Sequence, residues 1–216
     1  MNCKGISLLT GLVLLAALSL LAFIAASGTA LQRNMAANYQ EGSLALKNAS
    51  VASAYARAWL FSRADIERES ACESDCLLPA GFRQAGELPP QPEFESNSWW
   101  DEHAIAAGYN PSTAEETPTT DNGAEPARWI IEEIHYETTG DEPGENRAGS
   151  IAFYRILSRG TGRNPGSVAV IETIAARPWE GEYLAGAYPP DGLFGTFCKQ
   201  FENRYDCGVL SWRQRR

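Results

Sequence analysis

The cysteines are the residues of this chain best suited to chemistry, and there are five. Cys3 stands near the start, and the other four fall into two close pairs, Cys72/Cys76 and Cys198/Cys207. Paired thiols either close disulfides or hold a soft metal, and the two outcomes ask for different spacing. A C-x3-C followed by a C-x8-C fits a zinc site poorly, so no metal site is expected. Two disulfides suit an even set in a head outside the cytoplasm. Four cysteines allow three connectivities, which sequence does not separate. Local pairing, Cys72–Cys76 with Cys198–Cys207, is favoured because a short loop closed near the end of a chain ties that end down.

Signatures of catalysis are thin. His103 and His135 have no metal-ligand spacing, and no G-x-S-x-G element surrounds any serine. The acids Glu115/Glu116 and Glu132/Glu133 are adjacent, so on a strand or loop they point apart, whereas acid–base work needs convergence. Gly160 to Gly166 resembles a dinucleotide loop but joins two strand-like runs, which reads as a hairpin turn. Asp121-Asn122-Gly123 lacks the spaced acids of a calcium loop. No catalytic residue and no cofactor are expected, and the chain is read as a non-enzyme.

The elements that must position these residues begin with a charge-free stretch of 28 residues, Gly5 to Gln32, bounded by Lys4 and Arg33. About 20 apolar residues span a bilayer, and a secretory signal has a shorter apolar core, so this run predicts a transmembrane helix. Lys4 favours a cytoplasmic N-terminus, Arg33 opposes it, and the cysteines favour an exported head. Residues 1–64 carry a formal charge of +4 and the remainder −13. A head so acidic repels phosphate backbones, which excludes nucleic acid as a partner.

From Ile6 to about Arg68 there is no proline, which predicts one helix roughly 90 Å long. Its second half draws two apolar stripes. Met35, Gly42, Ala45, Ala49, Ala52, Ala56 and Trp59 form a small-residue face, and Leu44, Val51 and Tyr55 an adjacent one. Two faces imply two partners, one of them the head itself. Gly28 and Ser27 mark a soft point or a kink. Cys72 to Pro92 reads as loop, a short helix follows Trp99-Trp100, and 110–126 reads as an exposed loop. Three strand-like runs, Ala127–Thr138, Ser150–Ser158 and Ser167–Ala176, predict an antiparallel meander, with His135 on its solvated side. The tail from Arg177 to Arg216 is aromatic and glycine-rich. The organisation expected is therefore α+β: leader 1–5, helix 6–68 with its transmembrane part at 6–31, and head 69–216 with a sheet near 127–177.

Lys4-Gly5 before Ile6 resembles the prepilin processing site, in which a peptidase cuts after glycine and the new N-terminal residue is methylated. Thr29, Leu31, Gln32, Met35, Ala36 and Asn38 resemble the T-x-L-Q-x-K-M-A-x-N stretch of the PilX family of type IV minor pilins. Trp129 to Glu132, Tyr154 to Gly162, Val168 to Glu172 and Ala176 to Pro178 resemble that family's sheet. The resemblance covers about half the chain and implies a pilin-like fold, a long N-terminal helix packed on an antiparallel sheet. It implies cleavage between Gly5 and Ile6 and N-methylation of Ile6. Its implied partners are other minor pilins, the major pilin, a large tip adhesin, prepilin peptidase, the inner-membrane assembly platform and the lipid bilayer. One position departs from the pattern. Most pilins have a glutamate five residues past the cut, and this chain has Thr10, which suits the end of a filament, where no neighbour above supplies an amine. The expected role is initiation of pilus assembly in a tip complex, with adhesion and twitching motility. The expected location is the inner membrane with the head in the periplasm, and then the pilus. A type II secretion pseudopilin, or a membrane-anchored periplasmic binding domain or enzyme unrelated to filaments, are the alternatives.

Overall fold

The computed structural model describes residues 6–62, 82–83, 86–110, 115–116, 124–139, 149–179, 194–199, 201 and 206–216. Helix α1, Ile6–Phe61, is continuous over 56 residues, about 84 Å at the rise of an α-helix. The helix continues through Ser27 and Gly28. Ser27 Oγ donates to the Ile24 carbonyl at 2.9 Å. Residues 63–81, the expected last turns of the helix and Cys72/Cys76, lie outside the described set.

The chain forms two compact units, 1–40 and 41–216. The described residues of the first, 6–40, all belong to α1, which continues into the second. Leu8, Leu12, Leu15, Phe23 and Ile24 are all exposed along it, and it is long and apolar enough to cross a membrane. Its hydroxyls are satisfied within the helix: Ser19 Oγ donates to Leu15 O and Thr29 Oγ1 to Ala25 O, both at 2.8 Å. Backbone carbonyls thus take up hydroxyl protons that lipid could not accept.

The second unit is built on an antiparallel sheet. Short strands β1 (Phe82–Arg83), β2 (Ile105–Ala106), β3 (Tyr109–Asn110) and β4 (Glu115–Glu116) precede long strands β5 (Arg128–Thr139), β6 (Gly149–Thr161) and β7 (Val168–Pro178), and β8 (Gly208–Gln214) closes the order. The order is β1-β5-β6-β7-β8; β2 also pairs with β5, and β3 with β4 form a separate two-stranded sheet. β1 runs parallel to β5, while every other pairing is antiparallel. The meander expected from sequence is β5–β6–β7, and the tail adds β8 to it as a further strand.

Strand alternation gives the sheet two buried faces. On one lie Trp129, Ile131, Tyr154, Ile156 and Ala175, packed with Ala52, Ala56, Trp59 and Leu60 of α1. On the other, Ile130 and Leu157 pack with Leu88 and Trp100. The second face is covered by a 3-10 turn, Pro92–Phe94, and helix α2, Asn97–His103. Ser96 caps α2 by accepting from Trp99 N at 3.2 Å. The indole of the fully buried Trp100 donates to Pro92 O at 3.0 Å. Two irregularities break the ladders, one between Glu133 and His135 and one between Ile174 and Ala175 opposite Leu210.

Candidate functional site

The small-residue stripe of α1 is what seats the helix on the sheet. Ala45, Ala49, Ala52, Ala56 and Trp59 are fully buried, while Met35 and Gly42, read as part of the same stripe, are exposed. Approach is closest at Gly160 of β6, where an added Cβ would overlap the backbone at Ala45 and Ala49. Gly162 is similarly crowded by Glu41. Only glycine lets two backbones meet so closely. Polar side chains then fix the register: Asn48 Nδ2 donates to Thr161 O at 2.8 Å, Ser53 and Thr173 share a hydroxyl contact at 3.3 Å, and Glu41 Oε2 accepts from Asn164 N at 3.0 Å. The second stripe, Leu44, Val51 and Tyr55, is half-buried.

The lower end of the helix is locked by a residue that sequence reasoning quoted without giving it a role. Arg177 of β7 is fully buried and donates through NH1 to Leu60 O at 2.6 Å. Leu60 is next to last in α1, where carbonyls have no helical partner and a cation is favoured. The guanidinium also lies 3.7 Å from the Trp179 ring centroid and 5.1 Å from that of Phe197, a cation–π sandwich that offsets desolvation. A polar relay continues from there: Trp179 Nε1 donates to Tyr154 OH at 2.9 Å, and Tyr154 OH to Glu133 Oε2 at 3.2 Å.

The opposite face carries charge. Glu132 is nearly buried and meets Arg155 NH2 at 2.5 Å and Gly86 N at 3.0 Å. Glu172 meets Arg213 and Arg215, and Arg215 reaches on to Glu93 at 2.7 Å. The hydrogen bond to Glu172, helped by that to Glu93, holds the Arg215 guanidinium above the usual arginine value. Arg159, beside Asn97 and over the Trp100 ring, is pushed below it by burial, against the pull of Glu125 and Asp101. Sequence left the arginines of the tail without partners because those partners lie 41 to 123 positions away. One signal was legible: Glu172 is a lone acid inside the Val/Ile-rich run 168–176, and a buried carboxylate demands a cation.

Of the sequence-predicted sites, Gly5, Cys72 and Cys76 lie outside the described residues. Ile6 opens α1, and Thr10 is exposed on it. Cys198 and Cys207 are bonded, with Cα atoms 5.4 Å apart. The bond links helix α3, Phe194–Lys199, to the residue before β8. His135 is exposed, but so are its neighbours Ile134, Tyr136 and Glu137 beyond the register shift, so the exposure is not a product of alternation; its Nε2 lies 2.8 Å from Glu137 Oε1. His103 stacks on Trp99 and bonds its carbonyl through Nδ1 at 2.9 Å. Among the described residues no three His, Cys, Asp or Glu side chains gather as a metal site. A groove of about 270 Å³ lies between α1 and the β8 edge, lined by Leu46, Ser53, Arg57, Thr173, Val209 and Trp212.

An exposed apolar helix start, and a head in which the same helix is seated on an antiparallel sheet, define the class of pilin-like, membrane-anchorable subunits. A family model described as type IV pilus assembly protein PilX, C-terminal part, matches residues 36–177. The chain belongs to that family, whose members are structural pilins. No curated protein and no solved structure gives a significant match. The matched span takes in the seated half of α1, the β5–β6–β7 meander and Arg177 itself.

Proposed function

We propose that this protein is a minor pilin that helps to initiate type IV pilus assembly from the tip-associated complex, and that it supports adhesion and twitching motility. The observation that carries this reading is the family match over a head whose seated helix is the continuation of a charge-free apolar segment. Prepilin peptidase cuts between Gly5 and Ile6, and Ile6 is N-methylated. The helix then holds the subunit in the inner membrane, with the acidic, disulfide-bonded head in the periplasm. The assembly platform moves it from lipid into a bundle of like helices, where Gly11, Ala16, Ala17 and other small residues permit close approach. The head meets other minor pilins, the major pilin and a large tip adhesin. The chemistry is packing, with no bond made or broken after processing.

Mass spectrometry of the mature N-terminus tests the reading. An N-methylated Ile6 is the expected result, whereas an intact Met1 or a cut near Ser27 overturns it. Tip placement rests on Thr10, because a carboxylate there needs a neighbour's amine in a dry core. Thr10→Glu is expected to lower the number of pili per cell, and an unchanged number removes the argument for the tip.

A further inference from the structure

Strand β8 is held on the sheet by contacts unlike those of the strands it extends. β5, β6 and β7 bury apolar side chains on both faces, among them Trp129 and Ile130, Ile156 and Leu157, Val170 and Ile171. In β8 only Gly208 is buried, and every residue from Val209 to Gln214 is exposed, Trp212 to 65 %. A strand that buries so little apolar surface gains little from leaving water. Its ladder is also interrupted by the bulge at Leu210. What holds the strand beyond its ladder is ionic at one end and covalent at the other. Arg213 donates to Glu172 Oε1 through Nε at 2.8 Å and NH2 at 2.7 Å. Arg215 bridges Glu172 Oε2 at 2.5 Å and Glu93 Oε1 at 2.7 Å, and Arg216 NH1 donates to Glu93 O at 3.2 Å. Arg215 N still bonds Val170 O at 2.8 Å, so the ladder extends to the clamp. At the start, Cys207 is bonded to Cys198.

We propose that β8 is a releasable latch, which opens from the β7 edge as a unit when the Glu93/Glu172 clamp is broken and is kept in reach by the Cys198–Cys207 bond. Breaking the clamp removes charge-assisted bonds that the exposed side chains of β8 cannot replace. The three inner strands keep their two packed faces and stay folded. Release leaves the backbone N–H and C=O groups along β7 unpaired, so the latch governs whether that edge is open to pairing. The short covalent tether keeps the freed strand beside its seat, which makes re-closure a local event.

Hydrogen exchange read by mass spectrometry on the full chain in detergent micelles tests this, comparing wild type with the Glu93→Gln/Glu172→Gln double variant. In wild type the β7-bonded amides of 208–215 are expected to exchange faster than the central amides of β6 and β7. In the variant they are expected to accelerate roughly tenfold or more, while β6 and β7 keep their rates. Exchange of 208–215 in step with β6, or equal acceleration of all strands, overturns the latch. Should the variant not fold, wild type in about 1 M salt, where screening reaches to about 3 Å, supplies the same comparison. Selective acceleration of 208–215 there supports the latch, and uniform or absent acceleration overturns it. Reduction of the disulfide is expected to speed 208–215 further, and no further change removes the tether from the proposal.

Discussion

Under α1, the sheet presents Gly160, Ala169 and Ala175 to a row of buried alanines, with Asn48 bonded to Thr161 O and Ser53 to Thr173 between them. On the opposite side the same three strands present Glu132, Arg155 and Glu172, covered by an irregular segment and by the arginines that follow β7. One face is specified by shape and the other by charge. Shape complementarity between backbones tolerates no added atom, because neither helix nor strand can yield without losing its own hydrogen bonds. A buried ion pair tolerates changes of volume but not the loss of one partner, which strands the other charge. The family match over residues 36–177 takes in the seat and the acids Glu93, Glu132 and Glu172 of the charged side, while Arg213 and Arg215 of the latch lie beyond it.

Gly160→Ala is the substitution expected to do most damage, because its Cβ meets the backbone at Ala45 and Ala49. A loss of about 3 kcal/mol or more is expected from overpacking, read as a lowered denaturant midpoint of the full chain in micelles. Gly42→Ala, on the helix that Gly160 faces, is the control: nothing lies within 4 Å of its added Cβ, and a gain of up to about 1 kcal/mol follows from helix propensity. Equal effects at the two glycines would erase the distinction between a seat and an open face. Arg177→Ala comes next, at about 2–3 kcal/mol, since a charged hydrogen bond and a cation–π contact are lost together. Arg177→Lys is expected to fall between, because an ammonium cannot both reach Leu60 O and lie flat on Trp179.

The helix and the three long strands were legible because each repeats a short-range rule. No proline falls between Ile6 and Phe61, small residues recur every three or four positions from Ala45, and Ile151, Phe153 and Leu157 stand out in an alternating run. β8 was illegible for the opposite reason. Val209, Leu210 and Trp212 do not alternate cleanly across the bulge, and the strand buries almost nothing, so no periodic apolar face existed to be read. β1 and β2 are two residues each and exist only because β5 offers an edge. In the seat, Gly160 was visible as a glycine but was read as part of a turn. Its role depends on α1 crossing over it, more than a hundred positions earlier in the chain.

The smallest effect separates two ion pairs on the charged side of the sheet. Arg128 Nε lies 2.7 Å from Asp101 Oδ1, as near as Arg215 lies to Glu93, yet the aspartate is 57 % exposed while Glu93 is 5 % exposed. Water already solvates Asp101, and its attraction for Arg128 is correspondingly screened. Asp101→Asn is therefore expected to change stability by less than about 0.5 kcal/mol, and to leave the exchange rates of residues 208–215 untouched. Distance alone would rank the two pairs together. If Asp101→Asn loosened β8 as Glu93→Gln does, burial would not be what makes this side of the sheet depend on charge, and any acid facing an arginine there would serve as well.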